Sequence, residues 1–343
     1  MKILITGGAG FIGCNAAAHY IKSGSEVTIL DNLSRRGTEI NLEWLKEQGD
    51  FEFIKGDIRD YETIFKIFSA GKNFEVVLHL AAQVAVTTSV KNPRRDFEDN
   101  ALGTFNLLEA IRETKQNPVF IFSSTNKVYG NLESVALVEG EKKYEFGNNF
   151  NAVSENQSLD FHSPYGCSKG AADQYVRDYS RIYDLKTVVL RQSCIYGPRQ
   201  FGIEDQGWVA WFIIAHLLGK PITVYGNGKQ VRDILYIGDL IACFDSVIKN
   251  IDAAKGGIYN VGGGPKNQIS LLEFIDLLSE ISGKKLDPAF SDWRPGDQPI
   301  YVSDIGKARS ELGWTPQTDV KTGIEKLYAW VRENEQTIRD VIL

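Results

Sequence analysis

The chain has 343 residues, 43% of them apolar and 24% charged, which suits a soluble globular protein large enough to bury a core in two lobes. A net charge of −6 argues against a generic nucleic-acid partner, and no apolar run reaches the roughly eighteen residues of a membrane span. Cys14, Cys167, Cys194 and Cys243 are scattered, and the four histidines form no ligand-like cluster, so neither a disulfide framework nor a metal site is expected.

Residues 2–6 (KILIT) form a short apolar run that enters Gly7-Gly8-Ala9-Gly10-Phe11-Ile12-Gly13 directly, with no signal peptide before it, as in a cytoplasmic protein. The order is strand, glycine turn, helix. Gly7 permits a tight exit from the strand. Gly10 leaves the helix N-terminus open to a pyrophosphate, and Gly13 lets the helix lie close to the sheet. A second apolar strand at 26–30 ends in Asp31, where an acid would take the adenosine ribose hydroxyls. Further strand-like runs occur at 51–54, 75–80, 118–123 and 186–190, with helical patterns near 11–23, 39–48, 60–70, 97–115 and 167–183. Such alternation predicts an α/β fold, a Rossmann-type doubly wound parallel sheet covered on both faces.

Ligands of such sheets sit beyond the carboxyl ends of the strands. The residues there are Gly7, Asp31-Asn32, Gly56-Asp57-Ile58, Ala81-Ala82-Gln83, Ser123-Ser124-Thr125 and Arg191, mostly small or polar. Asp57 and Ile58 are placed to flank an adenine, with Asp57 accepting from its amine, while Ala81 and Ala82 leave room for a cofactor. From Tyr129-Gly130 a polar stretch runs to His162 and reads as a loop or lid. Beyond residue 191 the pattern turns to glycine turns and short segments, with amphipathic helices near 206–218 and 270–282. This predicts a smaller C-terminal lobe. The apolar stretch near 232–250 returns to the first lobe, giving a dinucleotide-binding domain of 1–191 plus about 232–262 and a substrate domain of 192–231 plus 263–343.

Tyr165 and Lys169 stand four residues apart at the start of a helical pattern, which puts both on one face. A free phenol, with a pKa of ~10, is a poor base at neutral pH. A lysine ammonium and a positive nicotinamide ring favour the phenolate, and reaching a pKa of ~7 takes roughly 4 kcal/mol. With the glycine turn and Ser124-Thr125, the pair points to reversible oxidation of a hydroxyl: Tyr165 as base, Lys169 beside it, and Thr125 hydrogen-bonding the reacting oxygen.

The motifs TGGAGFIG (6–13), DNLS (31–34), GDIRD (56–60), HLAAQ (79–83), SSTNKVYG (123–130), YGCSK (165–169), YGPRQ (196–200) and GNGKQVRD (226–233), together with Asp239, cover nearly the whole chain. The set resembles the extended short-chain dehydrogenase/reductase family, and more narrowly its nucleotide-sugar epimerases and dehydratases. DFHSPYGCSKGAADQY (160–175) and DQGWV (205–209) most resemble members that epimerise C2 of a CDP-linked sugar. The resemblance implies NAD, with Phe11 and Ile12 at the pyrophosphate, Asp31, Asn32, Ser34 and Arg35 around the adenosine ribose, and Asp57 with Ile58 at the adenine. It puts Leu80, Ala81, Ala82 and Gln83 along the middle of the cofactor, and Asn100, Ser123, Tyr165 and Lys169 near the nicotinamide side. Arg35 and Arg36 could meet an NADP phosphate, but Asp31 repels one. A nucleotide sugar, CDP-linked, is implied as substrate, held by Thr125, Asn126, Lys127, His162, Ser163, Cys194, Gln206, Val209, Arg232, Arg294 and Asp297. Family members pair the helices near 97–115 and 167–183, which implies a homodimer or homotetramer.

Two departures narrow the chemistry. The dehydratases carry an Asp-Glu pair after the threonine, where this chain has Asn126 and Lys127. Elimination of water then lacks its carboxyl acid and base. The family asparagine in N-x-Y-G-P is Cys194 here. The first departure favours hydride chemistry without loss of water, and the resemblance implies inversion through a transient 2-keto sugar, since the carbon-bound hydrogen beside an alcohol is not acidic enough for direct removal. Residue spacing does not separate C2 from C4, so a UDP-sugar 4-epimerase and a C2-epimerase of a CDP- or GDP-linked glucose stand beside that reading. A 4,6-dehydratase and an NAD-sensing regulator stand further off, the latter having no need of Tyr165 and Lys169.

Overall fold

The structure is a computed structural model that describes residues 1–294 and 297–342. The first lobe opens with β1 (Lys2–Thr6), α1 (Phe11–Lys22), β2 (Glu26–Asp31), α2 (Thr38–Lys46), β3 (Glu52–Lys55), α3 (Tyr61–Ser69) and β4 (Val76–His79). It continues through α4 (Val86–Lys91), α5 (Pro93–Phe97), a π-helical turn at Glu98–Leu102, α6 (Gly103–Glu113) and β5 (Val119–Thr125). A hairpin of β6 (Leu137–Glu139) and β7 (Tyr144–Phe146) precedes α7 (Ser163–Tyr183) and β8 (Thr187–Gln192). Then come β9 (Cys194–Tyr196), α8 (Trp208–Leu217), β10 (Thr223–Tyr225), β11 (Val231–Tyr236), α9 (Ile237–Lys249), α10 (Ile251–Ala254) and β12 (Ile258–Val261). The chain ends with β13 (Gln268–Ser270), α11 (Leu271–Ser282), β14 (Ala289–Ser291), β15 (Ile300–Tyr301), α12 (Gly306–Leu312), α13 (Val320–Glu333) and α14 (Glu335–Ile342).

Among the described residues the main sheet has seven parallel strands in the order β12-β8-β5-β4-β1-β2-β3. Successive strand residues face opposite sides, so a sheet buried on both faces needs apolar residues at every position. Ile3, Ile5, Ile29, Leu78, Ile121 and Leu190 face α1 and α9; Leu4, Leu30, Val77, Phe120, Phe122 and Val189 face α3, α6 and α7. The sheet order reverses between β1 and β4, which opens the crevice at their carboxyl ends. The second lobe packs α8, α11 and α13 around Phe212, Phe274 and Leu327, beside a small sheet of β9, β11, β13 and β15. A capping box starts α11: Ser270 accepts from the Glu273 amide, and Glu273 accepts from the Ser270 amide.

The structure departs from the sequence expectations in four places. β12 adds a seventh strand, unread because four residues between glycine turns carry little periodicity. β11 pairs within the small sheet, so the return to the first lobe is made by α9 and β12. The helix expected over 97–115 contains the π-turn, which alters the direction of Asn100. The stretch 130–162 is no lid. Its hairpin packs Tyr144 and Phe146 against Val231 and Ile300, the Tyr144 amide donates to the Lys229 carbonyl, and none of it lines the cavities described next.

Candidate active site

The first cavity follows the glycine turn. Gly7 has a φ of +69°, and a Cβ there would sit 2.7 Å from the Ala81 amide nitrogen. A Cβ on Gly13 would lie 2.2 Å from the Gly7 carbonyl oxygen, so only glycine lets α1 start this close to β1. Gly10 is the N-cap of α1 and offers no side-chain acceptor. The helix N-terminus is therefore open to an anion at a cavity walled by Gly7, Gly10, Phe11, Ile12 and Gly13. Across it lie Asp31, Asn32, Ser34 and Arg35, then Asp57 and Ile58, then Leu80, Ala81 and Ala82.

Asp31 is buried. Its oxygens accept the Ala9 amide at 3.0 Å and the Leu33 amide at 2.8 Å. Burial pushes its carboxyl above the usual range, and the amides pull it back. Each oxygen keeps one acceptor position for a ribose hydroxyl. Asp57 differs from expectation. It accepts the Arg59 Nε at 2.9 Å, the Arg59 Nη2 at 2.7 Å, the Arg59 amide at 3.0 Å and the Asn32 amide group at 3.0 Å. All four acceptor positions are filled within the protein, so Asp57 lines the cavity with none left for an adenine amine. The Arg59 guanidinium holds its carboxyl far below the ordinary range.

Gln83 and Asn100 frame the crevice from behind. The Gln83 side chain donates to Asp96 at 2.7 Å and to the Ala85 carbonyl at 2.9 Å. Asn100 is buried, accepts the Gln83 amide at 2.9 Å and donates to Ser168 at 3.0 Å. Neither belongs to the cavity wall.

Thr125 ends β5, while Tyr165 and Lys169 stand on the first turns of α7; all three are buried. Lys169 Nζ donates to the Ser123 carbonyl at 2.6 Å and lies 4.2 Å from the centre of the Phe122 ring. Burial pulls this ammonium down to about 7. Burial also pushes the Tyr165 phenol up to about 12, with a hydrogen bond to Thr125 opposing it. The expected depression of Tyr165 by Lys169 is thus absent from the protein alone, because desolvation dominates and the ammonium is turned to Ser123. Behind the pair, the fully buried Asp173 accepts Arg191 at 2.9 Å through both Nε and Nη2, and Ser124 at 2.7 Å. This ties α7 to the ends of β5 and β8.

A second cavity meets the first at Val84 and Gln206, which line both. Of the expected substrate residues, Lys127, Cys194, Gln206, Arg232, Arg294 and Asp297 line it. Arg232 donates to Asp297 at 2.6 Å. Burial and the Arg232 charge pull Lys127 down to about 8, and burial pushes the Cys194 thiol up. Arg294 lies 3.8 Å from the centre of the Tyr225 ring, donates to the Glu204 carbonyl at 3.0 Å and pairs with Asp205 at 3.3 Å. Tyr225, Thr223 and Glu204 belong to this wall but gave no sequence signal, being single residues in a lobe without strong periodicity, while Asp205 and Trp208 belong to it from within the DQGWV motif and were not singled out as site residues.

Five expected substrate residues lie off this wall, the buried Thr125 among them. Val209 is packed in the second lobe's core; one step along α8 turns it about 100° from Trp208, which takes the cavity side. His162 is exposed and bonds Asp160 at 3.0 Å. Ser163 accepts the Gly166 amide in the first turn of α7, and Asn126 is buried beside Thr125.

The family model described as GDP-mannose 4,6 dehydratase matches residues 4–327. CDP-paratose 2-epimerase of Salmonella typhi is 45% identical over 337 residues, covering 96% of this chain and 99% of that protein. The UDP-glucuronic acid 4-epimerase of Bacillus cereus, solved with UDP-glucuronic acid and NAD, superposes with a TM-score of 0.83 at 32% identity, over 97% of this chain and 99% of that one. The dTDP-glucose 4,6-dehydratase of Bacillus anthracis, solved with NAD, gives a TM-score of 0.83 at 26% identity over 99% of both chains. The chain belongs to the extended short-chain dehydrogenase/reductases, among their NAD-dependent nucleotide-sugar epimerases and dehydratases.

Proposed function

We propose that the chain is an isomerase that inverts C2 of a CDP-linked sugar, converting CDP-paratose to CDP-tyvelose. The observation that carries this is the 45% identity, spanning 99% of the Salmonella typhi CDP-paratose 2-epimerase. Asn126 and Lys127 in place of an acid-base carboxyl pair support it against dehydration. The glycine turn, the open N-terminus of α1 and the two free acceptor positions of Asp31 fit NAD. When bound, NAD would supply a hydride acceptor and donor.

In this reading Tyr165 takes the proton from the C2 hydroxyl, and Thr125 holds that oxygen. Lys169 balances the phenolate. A 2-keto sugar forms, turns its other face and is reduced again, so no net redox occurs. The first lobe holds the cofactor. Arg232 and Lys127 of the second cavity, partly neutralised by Asp297, grip the diphosphate, and the Tyr225–Arg294 wall takes the nucleoside. Exposed Phe97, Tyr175, Ile182 and Tyr183 support a homodimer or homotetramer through α5, α6 and α7; a monomer in sedimentation would contradict that.

Incubation with a panel of CDP-, UDP- and GDP-sugars, with products identified by NMR, tests the reading. A C2-inverted product from the CDP-sugar is expected. A C4-inverted product from a UDP-sugar alone would favour the second reading, a UDP-sugar 4-epimerase, which the likeness to the Bacillus cereus enzyme supports.

A further inference from the structure

We propose that Asp96 is a positioning residue for the proton-handling pair: a buried carboxylate that fixes Tyr165 and Lys169 against the loop after β4 and supplies the uncompensated negative charge both groups feel. The inference rests on the reading of Tyr165 and Lys169 as that pair.

Asp96 belongs to α5 and is 1% exposed. One carboxylate oxygen accepts the hydroxyl of Ser168, which stands between Tyr165 and Lys169 on α7. The other accepts Gln83 Nε2 at 2.7 Å and Asn100 Nδ2 at 3.2 Å. Asn100 in turn accepts the Gln83 amide at 2.9 Å, and Gln83 accepts the Ala85 amide at 2.5 Å. One carboxylate thus joins the catalytic helix to residues 83–85, where Val84 lines both cavities.

Among the described residues Asp96 has no ion-pair partner, whereas the neighbouring buried acid Asp173 is matched by Arg191. A buried charge without a counter-ion acts over a longer range than a paired one. The groups that face it are few. Asp99, one turn on, repels Asp96, and Lys169 attracts it. Lys169 feels Asp173 more strongly than Asp96, although Arg191 pairs that acid, and stands near the neutral His79. Tyr165 feels Asp96, Arg35 and the Thr125 hydroxyl. The Asp96 charge makes both Tyr165 and Lys169 hold their protons more tightly.

Asp96→Asn keeps the shape. Its amide oxygen accepts from Gln83 and Asn100, and its amide nitrogen donates to a reversed Ser168 hydroxyl. Both proton-handling groups then lose their protons at lower pH. The test is the pH dependence of turnover of CDP-paratose by the NAD-loaded enzyme, with the ultraviolet absorbance of the Tyr165 phenolate read as the difference from Tyr165→Phe. Asp96→Asn is expected to move the acid limb and the phenolate titration down by roughly one pH unit. Ser168→Ala, which keeps the charge, leaves both in place while slowing turnover. Gln83→Lys, which brings an ammonium to the Asp96 carboxylate and compensates its charge, moves both down and serves if Asp96→Asn fails to fold. Limbs that coincide with wild type in the variants that fold would overturn the proposal. Full activity in Tyr165→Phe would instead overturn the reading it rests on.

Discussion

At the scale of single residues, Tyr165 carries the claim most directly. Replacing it by Phe removes the proton acceptor but keeps the ring. Turnover is expected to fall by roughly 10²–10⁴-fold with NAD binding unchanged, checked by assay and by the nucleotide released on denaturation. Equal activity would dismiss the assignment. Arg232 separates substrate grip from chemistry. Arg232→Ala leaves Asp297 unpaired and removes a phosphate donor, so KM for the CDP-sugar should rise by about tenfold or more with NAD content unaffected. A changed NAD content with normal KM would argue against the division of roles. Gly7 and Gly13 were legible in sequence because backbone geometry leaves no other residue type there, and Gly10 and Asp31 because of their places in a dinucleotide turn and at the end of the second strand. Asp57 was half-legible: its place followed from the strand end, but Arg59, two residues on, occupies its acceptors. The Tyr165–Lys169 spacing was legible, yet its electrostatics were not, since a pattern of letters carries no desolvation.

At the scale of elements, β5, β8 and α7 are locked by Asp173, Arg191 and Ser124. Asp173→Ala leaves Arg191 buried without its partner and should cost about 3–5 kcal/mol in chemical denaturation. A loss near zero would mean that water or Tyr129 replaces the carboxylate. β4 ends in His79, whose ring lies against Phe120 and Phe122. The Thr104 hydroxyl gives its proton to the Asn100 carbonyl at 2.6 Å. It must therefore accept from His79 Nε2 at 2.9 Å, which leaves Nδ1 to accept from Thr6 at 2.7 Å. Burial holds this imidazole well below its ordinary value, so it stays neutral when the unfolded chain takes up a proton. The unfolded state then binds more protons, and stability falls as pH drops below ~6.5, by up to about 1.4 kcal/mol per pH unit for this one group. His79→Gln should flatten that slope in denaturation curves between pH 5 and 7; an unchanged slope would assign it elsewhere. Six of the seven strands of the main sheet were readable from apolar runs. β12 and the π-turn were not, because short segments between glycines and a one-residue change of helical step leave no period.

At the scale of the whole molecule, two lobes meet along a crevice whose halves share Val84 and Gln206. The cofactor half is written in local motifs and was visible in the sequence. The substrate half is assembled from distant single residues, Lys127, Cys194, Trp208, Tyr225, Arg232 and Arg294, and only the fold gathers them. The most direct measurement is conversion of CDP-paratose in deuterated water, followed by NMR at C2. CDP-tyvelose that keeps its original C2 hydrogen is the expected result, since the hydride never leaves the buried site. Deuterium entering C2, or inversion at C4 in its place, would contradict C2 epimerisation by transient oxidation.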